Sequence, residues 1–501
     1  MITRQKTITL SPYQELYDLL VKKDSFLRRF HDEIDLGFIY GELLDKYSPD
    51  MGRSAIDPVL MFKCLILKTV SGLSDEDLME EITVNLEYKY FLDMAPEDMP
   101  PSPSSLCRFR RQRLADAGMM GTLLGKSLQM AMERGIVAPR GREGKTRVSV
   151  IIDGTHTESF CSVCRPVPAL KERTKRLRAA LYSCDESLSG RIKKDHGVSS
   201  TDLPGEMGYC RQLLDAVETR LPALLELRKV KLAHNNLKEL LDDISAYYSV
   251  NPADPDARVG HKSGDTEFFG YKSQIAIDEE SGLILDAEVT SGEVGDAIPG
   301  LDVMERLTDN PLLEVDEMLG DTAYSGQPFL ALGRDRGFAV IAPPHPILGS
   351  GIDGRGGFTF NKDADRFCCP MGHLATSQRT VTHKKDNCRR SIIYSFDPRK
   401  CSVCPIKQIC VKGKRQNYRT FSVAMLTPEQ KALLEAQKTD RFKERRRMRY
   451  KIEAKNAHLK QSFGMAKAKG KGIKMMTLQA AVAFFTSNVR TILSKSDRPA
   501  E

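Results

Sequence analysis

The chain of 501 residues has no tryptophan, no long apolar run and no strong overall charge. Nothing in it approaches the roughly 20 consecutive apolar residues of a membrane-spanning helix, so no membrane partner is expected. The opening MITRQKTITLSPYQELYDLL lacks both an apolar core and a small-residue cleavage site, so no secretory signal is expected and an intracellular protein is. Composition is otherwise ordinary for a soluble protein, with 41% hydrophobic and 28% charged residues. The length exceeds what one minimal core needs, so several structural units are expected.

The net charge of +8 is modest, but it is concentrated. Between Lys438 and Lys474 there are 14 Lys and Arg against 3 Asp and Glu, leaving the rest of the chain slightly acidic. A local excess of this kind suits one phosphate-facing groove better than loose polyanion binding. The plain alternative is a solvated basic helix. Arg446, Arg449, Glu453 and Lys460 follow the spacing R-x2-R-x3-E-x6-K, which on one continuous helix puts them within a narrow arc. A carboxylate framed by three cations suits a divalent metal with phosphates gripped around it. Met448, Ile452, Leu459 and Phe463 form a separate apolar stripe, as expected of a helix docked on a sheet with one edge exposed.

Residues 1–145 read as mostly helical. Leu60, Cys64, Leu67 and Val70 form a stripe after Pro58, and Ser74 is a candidate N-cap for DEDLMEEI. LCRFRRQRL reads as a basic helix carrying Arg108, Arg110, Arg111 and Arg113. Helix, turn and basic helix is compatible with DNA binding and equally with a plain bundle. RVSVIIDGT then gives a short apolar strand ending at Asp153. A stretch rich in Leu, Lys, Arg and Glu follows, read as an inserted helical hairpin broken at Pro222. Gly270 to Asp278 and Leu283 to Thr290 read as an antiparallel hairpin. VDEMLGDTAYSG delivers Asp321 after another short strand, and Phe338 to Ala342 is a further strand stopped by prolines.

Phosphodiester cleavage and strand transfer need a strong oxygen nucleophile and relief of developing negative charge, which divalent metals provide. Mg²⁺ prefers oxygen ligands and keeps waters, so a few carboxylates suffice. Asp153, Asp321 and Glu453 are the natural set. Asp316 competes for the second place but lies before the apolar Met318-Leu319 pair. His156 and Glu158 could be auxiliary ligands, or could simply cap or face solvent.

These residues resemble a known family. The spacing around Glu453 is similar to the Y-R-E-K signature of bacterial insertion-sequence transposases of the DDE class. IIDGT and LGDTAYSG resemble the segments carrying that family's two aspartates, and the stretch from about Pro58 to Leu114, ending in MPPSPSSLCRFRRQRL, resembles its helical N-terminal domain. The resemblance covers roughly residues 50–345 and 365–493. It implies Asp153, Asp321 and Glu453 as catalytic residues holding Mg²⁺ or Mn²⁺, and Arg449 and Lys460 as DNA contacts. The chain departs from the signature at its tyrosine, where Arg446 stands; Arg446 could still grip a phosphate. Arg108, Arg110 and Arg111 are further candidate DNA contacts.

The 12 cysteines are unevenly placed. Cys401-x2-Cys404-x5-Cys410, with Cys369 upstream, resembles a zinc knuckle, and a structural Zn²⁺ would fill all four places. Cys368 or Cys388 could substitute. Cys161 and Cys164 lack an evident partner pair and read as free thiols.

The expected fold class is α/β, with an RNase-H-like mixed five-stranded sheet flanked by helices. The expected divisions are an N-terminal helical, DNA-binding domain (1–145), a first part of the core (146–345, with a helical insert at about 157–255), a Cys-rich insert (346–425), and a core completion carrying the Glu453 helix (426–501). The implied partners are DNA, both element ends and target, and further copies of the chain on that DNA. The implied location is the bacterial cytoplasm, at the nucleoid. The rivals are a non-catalytic or domesticated DNA-binding protein and a structure-specific nuclease with the same core.

Overall fold

The computed structural model describes residues 13–47, 55–115, 118–137, 141–161, 166–192, 203–246, 251, 253–263, 266–344, 357–361, 364–383, 389–411 and 417–496. The first elements are helices: α1 (Gln14–Leu20), α2 (Phe26–Glu33), α3 (Phe38–Leu43), α4 (Pro58–Ser71), α5 (Asp75–Val84), α6 (Leu86–Phe91), α7 (Pro103–Phe109) and α8 (Met119–Glu133). Their ends follow local chemistry. Asp57 accepts from Val59 N, Pro58 takes the first turn of α4, and Gly72 closes that helix at φ 72°, a conformation glycine adopts without a Cβ penalty. Ser74 accepts from Asp77 N and starts α5.

The basic segment expected as one helix is α7 followed by a π-helical turn over Arg110–Leu114. Asp75 explains where that turn sits. Arg110 donates to both its carboxylate oxygens, at 2.7 and 2.5 Å, and Lys68 Nζ donates at 2.6 Å. One acid thereby ties α4, α5 and the turn after α7 together.

Next comes strand β1 (Thr146–Glu158), which does not stop at Asp153 as expected but runs five residues further. It continues because strand β3 pairs with it antiparallel from Val150↔Asp278 to Glu158↔Gly270. Between them lie α9 (Pro166–Cys184), α10 (Leu188–Arg191), α11 (Leu203–Arg220) and α12 (Arg228–Ala246), more than the expected hairpin. They bury their own core around Leu170, Leu177, Leu213, Val217 and Leu237. Pro222 opens a 3-10 turn between α11 and α12.

The main sheet comprises β1, β2 (Arg258–Ser263), β3 (Thr266–Asp278), β4 (Ile284–Ser291), β5 (Leu313–Leu319) and β6 (Ala339–Ile341). Its order is β2-β3-β1-β5-β6, with β4 also on β3. The first half of β3 pairs with β2 and the second half with β4, so the sheet is five strands wide and the short β2 is the addition to the expected set. β5 pairs parallel with both β1 and β6. The class is therefore mixed α/β, with α13 (Ala297–Asp309) between β4 and β5 and α14 (Gln327–Arg336) between β5 and β6.

Beyond it stand the β7 (Thr359–Asn361) and β8 (Arg366–Cys368) pair and a three-stranded sheet of β9 (Ser377–His383), β10 (Arg389–Ser395) and β11 (Thr420–Ala424). The short helices α15 (Pro398–Ser402) and α16 (Lys407–Cys410) precede β11. The chain then returns through α17 (Pro428–Ala436), α18 (Asp440–Arg447), α19 (Tyr450–Ser462) and α20 (Ile473–Ser496). α20 packs between the sheet and the N-terminal helices. It meets the sheet through Ala480, Ala483 and Phe484, and its opposite face completes the N-terminal helical core through Leu478, Ala481, Phe485 and Val489. No helix among the described residues is long and apolar enough to cross a membrane.

Burial pushes the Asp75 carboxyl up, but the hydrogen bonds from Arg110 and Lys68 outweigh it and hold it below the ordinary carboxylate range. A carboxyl held below its unfolded value stabilises the fold above that value, about 4, and loses this contribution as pH falls through the folded value. Asp75→Asn is expected to cost roughly 2–3 kcal/mol at pH 7, because Arg110 loses its counter-charge in a partly buried place where solvent screens it incompletely. The gap between the proteins should narrow as the pH drops below about 4; urea unfolding at pH 7 and at acid pH measures it.

Candidate functional site

Register alone brings two of the expected acids together. In the parallel β1–β5 pair, Ile151 lies opposite Leu319, and Asp153 and Asp321 each follow two residues on. β5 has ended there, and Asp321 starts a 3-10 turn, accepting from Ala323 N at 2.7 Å. Asp153 remains in β1, its side chain 18% exposed. Burial pushes its carboxyl up, Arg449 pulls against that, and Asp321 and Asp296 add to the push, leaving it at about 6.

Asp296, which precedes α13, is an acid that the sequence reading did not select. It accepts from Lys272 Nζ at 3.1 Å and Gln274 Nε2 at 2.7 Å, and Gln274 Oε1 accepts from the Tyr324 hydroxyl at 2.6 Å. Tyr324 is buried, and burial together with Asp153, Asp296 and Asp321 holds its hydroxyl well above the usual range. The close packing depends on Gly154. A Cβ there would lie 2.9 Å from Gln274 Nε2 and 3.2 Å from Asp296 Oδ1.

The third side of the site comes from α19. Arg449 Nη2 stands 3.7 Å from Asp153 Oδ1, and Asn456 Nδ2 donates to Asp153 Oδ2 at 3.4 Å. Lys460 Nζ lies 3.3 Å from His156 Nδ1, and the His156 ring packs on Phe268 with centroids 4.9 Å apart. Arg449, Asn456 and Lys460 are spaced by seven and four residues, so one face of the helix meets β1. Glu453 lies on that face by the same spacing, but it is exposed, and among the described residues no ion pair or hydrogen bond engages its carboxylate. Nor, among the described residues, are any three His, Cys, Asp or Glu side chains gathered as a metal centre.

The single helix expected to carry Arg446, Arg449, Glu453 and Lys460 is broken. α18 ends at Arg447 and α19 starts at Tyr450. Arg445, Arg446 and Arg447 occupy the last turn of α18, where cations complement the helix dipole. The two helices are then pinned to the sheet, with Glu279 shared between them. Arg445 bonds Glu279 at 2.5 Å and Glu317 at 2.6 Å, Arg441 bonds Glu317 at 2.6 Å, and Lys451 bonds Glu279 at 3.0 Å. Arg446 is therefore on a different helix from Glu453, exposed to solvent. Ile452, Leu459 and Phe463 of the apolar stripe are buried against the sheet.

Of the N-terminal arginines, Arg108 and Arg111 are exposed, whereas Arg110 is engaged by Asp75. A cavity of about 460 Å³ lies where this region meets the turn after α19, with Lys68, Arg110, Arg111, Lys469 and Lys471 among its lining. Cys369, Cys401, Cys404 and Cys410 line one small cavity of about 30 Å³ together with His373. Burial raises the Cys410 thiol; Arg419 opposes this, and Cys401, Cys404 and Cys369 add to it. Cys164 and Cys388 lie outside the described residues.

With this geometry established, comparison with known proteins places it in a class. Residues 14–112 match a transposase domain (DUF772), and residues 368–493 match a transposase DDE domain. The second match spans the four cysteines and all of α19; Asp153 and Asp321 lie before it. These two matches, which together span less than half of the chain, support a DDE transposase. No curated protein matches the chain. Among solved structures, the piggyBac transposase synaptic complex with hairpin DNA is similar at 9% identity over 76% of each chain, with a TM-score of 0.23, too loose a superposition to carry any argument.

Gly154→Ala is expected to destabilise the protein by about 1–3 kcal/mol through overpacking. The added methyl meets Gln274, which is fully buried and held by Tyr324, so neither neighbour can yield freely. Thermal or denaturant unfolding checks this, with Gly333→Ala, whose Cβ would meet Phe338 O at 2.8 Å, as a comparison remote from the aspartates.

Proposed function

We propose that this DDE transposase recognises the terminal inverted repeats of its own bacterial insertion sequence, cuts the DNA there and joins the freed end to target DNA. The observation that carries the reading is that Asp153 and Asp321, each two residues beyond the Ile151↔Leu319 pair, lie within electrostatic reach of each other and that Asp153 is faced by Arg449 and Asn456. Sheet order supports it too: β4-β3-β1-β5-β6, with β1 central and β5 and β6 parallel to it, suits an RNase-H-like core.

The residues fit a divalent cation. Asp153 and Asp321 lie within electrostatic reach, and the Asp153 carboxyl is pushed up to about 6 by burial and by its acidic neighbours, a repulsion that a cation between the two would relieve. Asp153 and Asp321 would hold Mg²⁺ or Mn²⁺, with Glu453 the third ligand from α19. When bound, such an ion activates an oxygen nucleophile and relieves charge on the leaving oxygen. Arg449 balances Asp153. Lys460 and Arg446 would grip phosphates flanking the cut, and Arg108 and Arg111 would contact DNA further out; Arg110 would line the same basic cavity while held by Asp75. The division of labour follows: a DNA-binding region over 1–145, a core over 146–345 and 426–501, and a Cys-rich insert over 346–425. Two ends and one target call for more than one copy of the chain, and the expected location is the bacterial cytoplasm, at the nucleoid.

One observation favours the second reading, a non-catalytic DNA-binding protein: the Glu453 carboxylate is exposed and unengaged among the described residues, while the two aspartates are paired by register. The test uses labelled duplexes from the DNA flanking the gene, with Mg²⁺ or Mn²⁺. Cleavage at the element end and joining to a plasmid are expected, and Asp153→Asn, Asp321→Asn and Glu453→Gln should each lower the rate on the order of a thousandfold, about 4 kcal/mol, while DNA is still bound. Binding without metal-dependent cleavage would favour the second reading; cleavage without joining would indicate a structure-specific nuclease.

Two further outcomes are expected. Arg111→Ala combined with Lys471→Ala should weaken DNA binding and reduce the salt slope by about 2, one for each phosphate no longer neutralised, measured by fluorescence anisotropy across salt concentrations. The four thiols line one cavity without being gathered, among the described residues, as a metal centre; a structural Zn²⁺, which prefers thiolate ligands, would draw them together. Purified protein should carry zinc, and Cys404→Ser should lose both the ion and thermal stability, read by elemental analysis and calorimetry.

A further inference from the structure

We infer that the Cys-rich insert is a second DNA-docking surface, in which cations grip backbone phosphates around two apolar tips, Val403 and Ile409, that enter the groove; DNA as the partner rests on the function proposed above. Between Arg366 and Arg419 the sequence carries 13 Lys and Arg against 2 Asp and Glu. That stretch is as basic as the one around α19, yet its charge is left over from folding. In α18 and α19, three cations are engaged by Glu279 and Glu317. In the insert the one acid among the described residues of the stretch, Asp397, caps α15 by accepting from Arg399 N at 2.8 Å. Arg399 and Lys400 are exposed on that helix, and among the described residues no carboxylate pairs with either side chain or with Lys407. Like charges gathered in this way repel one another, and a polyanion laid across them relieves the repulsion.

The apolar groups indicate how the surface meets its partner. The insert buries its own aromatic core of Phe367, Tyr394, Phe396 and Phe421. Val403 and Ile409 stand outside it, 84% and 78% exposed. Val403 directly follows α15, and Ile409 lies in α16. Their neighbours Cys401, Cys404 and Cys410 line one cavity, with Lys400 beside them. The tips are therefore on the outer side of the same two short helices that carry the unpaired cations. A DNA groove takes such a pair of features: cations hold the phosphates of its rims while apolar side chains press on base and sugar edges or wedge between base steps. The matched transposase DDE domain, residues 368–493, holds both this surface and α19, which favours duplex DNA over an acidic protein as the polyanion.

The test is binding of a fluorescent random-sequence duplex by the full-length chain, followed by anisotropy across salt concentrations. Arg399→Ala combined with Lys400→Ala should weaken binding and lower the salt slope by about 2. Val403→Ser combined with Ile409→Ser should weaken it roughly tenfold at every salt concentration and leave the slope unchanged, since no charge is removed. If both pairs bind as wild type while Arg111→Ala with Lys471→Ala does not, the insert does not meet DNA; the inference is overturned and the DNA reading stands. If only the charge pair binds more weakly, the groove contact is overturned. If the apolar pair changes only the sedimentation mass of the free chain, the tips join copies of the chain, and the inference is again overturned. If wild type itself does not bind the duplex, the proposed function fails and takes this inference with it. All four positions are exposed, so the variants should fold; should either pair melt early, Lys400→Ala and Ile409→Ala singly decide the same question.

Discussion

The rest of the site depends on the parallel pairing of β1 with β5, which sets two aspartates at one level of the sheet. Strand pairing is fixed by backbone hydrogen bonds and by the buried side chains on either face, and here Val150, Ile151, Ile152, Met318 and Leu319 are all enclosed. Val150, Ile152 and Met318 fill one core and Ile151 and Leu319 the other, so a slip would misplace side chains in both, and the two carboxyls are held where they repel. The structure meets the resulting charge with neighbours. Arg449 and Asn456 approach Asp153 from α19, and Lys272 and Gln274 hold Asp296 to one side.

Those neighbours can be placed because α18 and α19 are anchored away from the aspartates. Glu317 is buried in β5 and Glu279 follows β3; between them they take Arg441, Arg445 and Lys451. Three of the cations that look free in the sequence are thus engaged in docking two helices. The break at Met448–Arg449 lets both helices reach Glu279, through Arg445 and Lys451, and the cations left exposed, Arg446 and Arg447 among them, are those available to a polyanion.

α20 couples this sheet to the N-terminal helices. Asn488 accepts from Ile284 N and donates to Ile284 O, both at 2.8 Å, and also donates to Ser127 at 2.9 Å. One buried amide thereby satisfies the edge of β4 and fastens α8 to both. Because Phe485 and Val489 belong to the helical core while Ala483 and Phe484 belong to the sheet core, the region matched by one transposase domain and the region matched by the other share a single helix. An apolar helix with little amphipathicity is buried nearly all round, and that property of α20 is visible in MTLQAAVAFFTSNVRTIL itself.

Local chemistry was legible in the sequence wherever a few neighbouring residues decide the outcome. The Pro58 and Ser74 helix starts, the β3–β4 hairpin, the apolar strands before Asp153 and Asp321, and the buried stripe of α19 all rest on capping, turn and periodicity rules that act within about ten residues. The spacing of Asn456 from Glu453 was also there to be read, but an asparagine on a basic helix carries no signal until its partner strand is known. Tertiary structure alone decided the rest. Arg110 is engaged by an acid 35 residues away, Asp296 reaches Gly154 because β3 carries Lys272 and Gln274 to it, and β1 runs past Asp153 because β3 is long enough to pair with it. Each depends on contacts between segments far apart in the chain, which composition and periodicity do not encode.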